Sequence, residues 1–294
     1  MLDATQWGWT VATLRRRLLR FGRKSPRDRW RALRATLRQM LRPTPAARSV
    51  ARLRGLAGPV AAFQTGAPLD LAGRPDSDID AGWHPELPGL LDRWLHDNFA
   101  NNAADLVRFY ALAFNLKQLL AEGIQGDCAE LGVFRGNSAS LIAHYARQAG
   151  KTTYLFDTFA GFAADDLDGA VPASVLDAFD DTSLDRVAGL VGHAGVVFCQ
   201  GRFPDSIPPG LLAARFCFAH IDCDLYGPAR AALDFFYPRL HPGGMLVLHD
   251  YANPHWPGIR RAADEFLADR PERLVLLPDK SGSAALRKTA PLAG

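Results

Sequence analysis

The stretch "CAELGVFRGNSASLIAHYA", residues 128–146, decides the fold: an apolar run, a turn holding two glycines, then a segment of helical periodicity. A short apolar run passing through a glycine turn into an amphipathic helix is the opening unit of a parallel α/β sheet. Gly132 and Gly136 stand four residues apart, which matches neither the G-x-G-x-x-G dinucleotide fingerprint nor the phosphate loop with its lysine. A nicotinamide oxidoreductase therefore fits the alternation and fails on the spacing. A turn of this kind at a helix N-terminus has room for a bulkier zwitterion. Glu130, at the strand's end, is placed to accept from an ammonium group, and Asn137 and Ser138 either cap the helix or hold a carboxylate. Taken alone, the loop is equally well explained as a packing turn between strand and helix.

Working outward, "TTYLFDTFAGF" (152–162) puts Asp157 at a strand's end, 21 residues after Gly136. An acid there in an open α/β sheet commonly binds ribose hydroxyls. Glycine turn, acid and intervening crevice describe an adenosyl-ligand site, with Phe159 and Phe162 as either core residues or a face against the ligand. Strands are expected near 127–131, 152–157, 195–199, 215–222, 244–248, 272–277 and 283–288. Helices are expected near 136–149, 183–191, 227–239 and 257–269. "RLVLLPDKSGSAALRK" (273–288) reads as a hairpin turning about "DKSG", so one edge strand runs antiparallel. The expected fold is α/β and Rossmann-like: a mostly parallel seven-stranded sheet with helices on both faces.

Two further strands end in acids. "FCFAHIDCDLYGPAR" (216–230) runs into Asp222 and Asp224, and "GMLVLHDY" (244–251) runs into His249 and Asp250. Carboxylates at two buried strand tips suggest a shared site.

The segments "GDCAELGVFRGNSA", "LFDTFAGF", "GRFPDSIP", "IDCDLYGPARAALDFFYPRLHPGGMLVLHDY" and "GIRRAADEF" follow one another over roughly residues 115–270. In that order they resemble the macrocin O-methyltransferase family, whose members methylate sugar hydroxyls of macrolide and aminocoumarin antibiotics. The resemblance implies S-adenosylmethionine as methyl donor and Mg²⁺ held by carboxylates at the ends of the fourth and fifth strands. Carried over, Glu130, Gly132, Gly136, Ser138 and Asp157 line the donor pocket, and Gln200, Gly201 and Phe203 lie near the adenine.

Methyl transfer to a sugar hydroxyl needs a positioned base, or a cation that lowers the hydroxyl's pKa. Asp222 and Asp250 are then ligands, with Asp222 or a nearby histidine as proton acceptor. Where relatives carry Asp-Asp this chain has His249-Asp250, and imidazole is a poor Mg²⁺ ligand that suits Zn, Fe or Ni better, with Mn also open. Three outcomes stay open: a different divalent cation on Asp222, His249 and Asp250; His249 as base; or no metal. A second departure is Gly227-Pro228-Ala229, where relatives often begin a helix with Glu-Ser-Thr. His255 is a second base candidate or a surface histidine, Trp256 stacks on a sugar or packs, and Asp224 supports the site or caps the next helix. Tyr226 and Tyr251 read as structural.

The ends of the chain differ in charge. Residues 1–58 carry 15 of the 34 Lys+Arg and two of the 31 Asp+Glu, hence +13 against −10 for the remainder. "WTVATLRRRLLRFG" and "DRWRALRATLRQMLR" read as basic amphipathic helices. They suit an arm packing on its own body or on a sister subunit of a homo-oligomer first, and an anionic membrane second. Nucleic acid is the weakest reading, since no base-reading motif accompanies the arginines. Residues 59–125 read as a Gly-, Pro- and Asp-rich linker followed by a helical cap, and 126–294 as the catalytic domain. No apolar run is long enough to span a membrane, the N-terminus lacks a secretion pattern, and four cysteines lie in or beside strand-like runs. The expected location is the cytoplasm, with attachment at the inner membrane face if the basic arm binds lipid. The leading reading is an O-methyltransferase acting on a sugar or glycosylated small molecule. The alternative is a catalytically inactive methyltransferase fold serving in assembly through its basic arm.

Overall fold

The computed structural model describes residues 86–102, 105–162, 167 and 179–289. The basic helices expected within 1–58, and the linker up to residue 85, lie outside the described residues.

Two helices, α1 (Leu87–Asn102) and α2 (Leu106–Ala121), precede the sheet. The α/β unit follows as β1 (Asp127–Leu131), α3 (Asn137–Gln148), β2 (Thr153–Asp157), α4 (Leu184–Val191), β3 (Val196–Gln200), β4 (Phe216–Ile221), α5 (Tyr226–Arg239), β5 (Leu240–Leu248), α6 (Pro257–Leu267), β6 (Val275–Leu276) and β7 (Ala284–Arg287). The sheet order is β3-β2-β1-β4-β5-β7-β6. The first five strands pair in parallel, and β7 runs antiparallel to both neighbours. The hairpin and the antiparallel edge are as the sequence predicts.

Two strand lengths differ from expectation. β5 starts at Leu240, which pairs with Phe216 ahead of an irregularity where Gly243 takes φ +81°: Gly243 N–H donates to Lys288 O at 2.7 Å, and Gly244 O accepts from Lys288 N–H at 2.8 Å. β6 shrinks to two residues, since buried Glu272 turns its carboxylate to Tyr237 Oη (2.6 Å) and Thr289 N–H (2.9 Å). Side-chain bonds hold the chain there in place of a ladder.

All six residues of β4 are buried, as befits a central parallel strand covered on both faces. Phe216, Ile221, Phe236, Leu246, Ile259 and Phe266 belong to the main core, and Val133, Ala139, Leu155, Val187 and Val191 to a second cluster. All four cysteines are buried and free of disulfides. Among the described residues no helix is long and apolar enough to cross a membrane.

The register levels the strand ends. Leu131 pairs with Phe156 and Ile221, and Ile221 with Leu248. The next residues lace the rim: Gly132 N–H donates to Phe156 O (2.9 Å), Asp222 N–H to Leu131 O (2.8 Å) and His249 N–H to Ile221 O (2.9 Å). The glycine turn and the strand-tip acids therefore emerge side by side.

Candidate active site

Above this rim lies a cavity of about 510 Å³, within the range of small-molecule pockets. One side is the glycine turn. Gly132 has φ +86°, and a Cβ there would sit 1.8 Å from the Asp222 carbonyl oxygen. Only glycine lets the β1 and β4 tips approach this closely. Asp157 ties the turn down: one carboxylate oxygen accepts from Val133 N–H (2.6 Å) and Phe134 N–H (2.9 Å), the other from Phe159 N–H (2.7 Å). Helix α3 then starts at Gly136 without a side-chain cap, leaving its first-turn N–H groups beside buried Asn137 and Ser138 in the cavity wall. The helix dipole gives that corner a positive potential.

The other side is built from β4 and β5. His249 Nδ1 lies 2.7 Å from Asp222 Oδ1 and 2.7 Å from Asp250 Oδ2. Donor atoms of Asp222, His249 and Asp250 all fall within 4.8 Å of one another, a spacing that fits a shared cation. Burial, then Arg108, work against the imidazolium, but the two carboxylates prevail and raise its pKa to about 10. Asp222 moves the opposite way. Burial favours its neutral form, yet His249 and Arg108 outweigh that and hold it well below the usual carboxylate range. Asp224 is pushed well up, by burial first and then by Asp222 and Asp250; as a neutral acid it can donate to Asp250. Asp224 (φ +62°) and Asp250 (φ +59°) both take left-handed backbone conformations, which non-glycine residues adopt at a cost.

Of the residues singled out in the sequence, Gly132, Ser138, Asp157, Gly201, Phe203, Asp222, His249 and Asp250 line the cavity. Five candidates stand elsewhere or play a different part. Glu130 is fully buried beneath the turn and binds His220 Nδ1 at 2.7 Å. Gly136 packs: an added Cβ would meet Val187 Cγ1 at 3.0 Å and Val191 Cγ2 at 3.3 Å, both on α4. Gln200 is exposed, its amide 3.4 Å from Thr158 O. His255 is exposed and outside the wall. Asp224 does not cap α5, whose N-cap is Leu225. Phe159 is core, whereas Phe162 joins Phe179 and Trp256 in the wall, with Trp256 centroids 6.2 and 6.1 Å from the two phenylalanines. Tyr226 and Tyr251 bond to Glu265 and Asp264 on α6.

Sequence reading missed Arg108, Trp94, Asn253 and Ser281, which also face the cavity. Arg108 had a visible sign. It occupies the buried stripe Arg108–Leu112–Leu116 of α2, where a charge is costly without a partner. That partner is Asp222, whose other oxygen receives the guanidinium.

Residues 98–272 match the family described as Macrocin-O-methyltransferase (TylF). The chain is 29% identical over 203 residues to the 8-demethyl-8-(2,3-dimethoxy-alpha-L-rhamnosyl)-tetracenomycin-C 4'-O-methyltransferase of Streptomyces olivaceus, covering 61% of this chain and 70% of that one. It is 29% identical over 184 residues to the mycinamicin III 3''-O-methyltransferase of Micromonospora griseorubida, covering 57% and 70%. Two solved structures share the fold. The O-methyltransferase NovP does so at 23% identity and TM-score 0.55, over 63% of this chain and 80% of that one. The calicheamicin methyltransferase CalS11 does so at 21% identity and TM-score 0.53, over 84% and 94%.

Proposed function

Because the chain belongs to the macrocin O-methyltransferase family, we propose that it transfers a methyl group from S-adenosylmethionine to a hydroxyl of a sugar or glycosylated small molecule. One observation carries this reading: the glycine turn, the helix N-terminus that follows it and the acids of β4 and β5 share a single cavity. Relatives named for sugar O-methylation support the acceptor class.

The donor supplies a methyl on a sulfonium, and the protein's work is to seat it. The first turn of α3, with Ser138, offers N–H groups to the donor's carboxylate, and Gly132 lets the β1 and β4 tips close up beneath it. Asp157 acts by a different route from the one its position suggests. Its oxygens hold the turn in shape, and the ribose then meets a surface already rigid.

On the acceptor side, Asp222 stands next to Gly132. Paired with Arg108 and His249 it is a weak base, and it accepts a hydrogen bond that orients the hydroxyl. The hydroxyl's proton is lost to solvent as the methyl C–S bond breaks and the O–C bond forms. His249 is not a base here, because its Nδ1 faces two carboxylates that keep the ring protonated. Its buried Nε2, which has no hydrogen-bond partner among the described residues, is the nitrogen that would take a cation in place of its proton. Asp222, His249 and Asp250 would hold a divalent cation, which lowers the pKa of a bound hydroxyl. Two carboxylate oxygens and an imidazole nitrogen suit Mn²⁺ or Zn²⁺ better than Mg²⁺. Phe162, Phe179 and Trp256, tilted against one another, offer an apolar wall to the sugar's C–H face.

The test begins with calorimetric titration of S-adenosylhomocysteine. Labelled S-adenosylmethionine is then offered with a panel of glycosides, with and without EDTA. Donor binding and label transfer that stops with EDTA and returns with Mn²⁺ is the expected result. A protein that does not bind S-adenosylhomocysteine removes the proposal.

A further inference from the structure

Arg108 reaches the acid cluster from outside the sheet. It lies on α2, is 7% exposed, and places its guanidinium on Asp222 Oδ2, while Asp222 Oδ1 faces His249. One carboxylate thus serves two positive groups, one on each oxygen. The guanidinium is always charged, and here Asp222 and Glu130 favour that charge against the cost of burial.

Its position is fixed with care. Asp105, 1% exposed, caps α2 by accepting from Arg108 N–H at 3.2 Å through Oδ1. Through Oδ2 it accepts from Lys280 N–H in the β6–β7 turn at 2.7 Å, and its carbonyl accepts from Trp94 Nε1 at 3.1 Å. Three separate segments converge on the residue that starts the helix carrying Arg108. A guanidinium so anchored cannot swing away freely when a second cation arrives.

We propose that Arg108 is a resident counter-charge that shares Asp222 with the divalent cation and weakens the cation's hold. The inference rests on the cation reading above and adds which residue sets the ion's affinity. Two cations on one part-buried carboxylate repel each other, and the guanidinium withdraws charge from the oxygen pair. The ion then exchanges readily, and Asp222 stays paired and oriented whenever the ion leaves. The site keeps its shape between turnovers at the expense of ion affinity.

The experiment uses the full chain and Mn²⁺ alone, with free Mn²⁺ read by electron paramagnetic resonance. Arg108→Met is expected to bind Mn²⁺ about tenfold tighter or more than wild type. Arg108→Lys, which keeps the charge, is expected to stay within about threefold of wild type, and Asp222→Asn to lose the ion. Circular dichroism and S-adenosylhomocysteine affinity check the fold; if Arg108→Met fails them, Arg108→Gln takes its place. A folded charge-removing variant that binds Mn²⁺ no tighter than wild type overturns the role of Arg108 alone. If neither wild type nor variant binds Mn²⁺, the cation reading falls as well. The methyltransferase reading still stands in that case, provided S-adenosylhomocysteine binds.

Discussion

The two sides of the cavity are held by different means. On the donor side, Asp157 grips the turn through backbone N–H groups 23 and 24 residues away, and Gly132 and Gly136 set the chain's path. On the acid side, Asp222, His249 and Asp250 are held by one another's charges and by Arg108, 114 residues from Asp222. The first side is rigid because backbone geometry dictates it. The second is a balance of charges that one substitution can tip.

Substitutions on each side put that contrast at risk. The largest expected effect is on turnover: Asp222→Asn should lower kcat by about 10²–10⁴-fold while leaving S-adenosylhomocysteine affinity within about threefold. Equal loss of donor binding would break the separation of the two sides. Next is Gly132→Ala, whose Cβ meets backbone rather than a flexible side-chain end. A cost on the order of 3–4 kcal/mol in urea unfolding is expected, and a loss under about 1 kcal/mol would show that the tips part easily. Asp157→Ala strips three backbone donors of their acceptor, roughly 2–4 kcal/mol of stability. Its donor affinity should fall about a hundredfold by calorimetry, and unchanged affinity would refute a rigid donor side.

Smaller effects sharpen the picture. Asp105→Asn keeps the α2 cap but weakens the anchor for Arg108, so about 1 kcal/mol of stability should be lost. His255→Ala should leave turnover within about twofold, since the residue is exposed and outside the wall. A tenfold loss there would restore it as a base.

Legibility followed sequence distance. Strand-turn-helix periodicity, the hairpin at Asp279–Gly282 and the acid-tipped strands were readable because each is written within about 20 contiguous residues. β6 was overestimated because Glu272 bonds Tyr237 and Thr289, which no local pattern reveals. Gly136 looked like a ligand contact and is a packing glycine, since both roles ask for the same missing Cβ. Glu130 looked exposed to ligand and is buried, because its partner His220 lies on another strand.

By itself the sequence determined the sheet, its antiparallel edge and the three residues that gather at the β4 and β5 tips. Alternation and strand-end chemistry are properties of contiguous chain. Only the tertiary structure decided how charge is shared there: that Asp222 is claimed by Arg108 as well as His249, and that Asp157 serves the turn. A carboxylate's partners are set by which segments folding brings within about 3 Å, and that distance is not encoded in any one stretch of the chain.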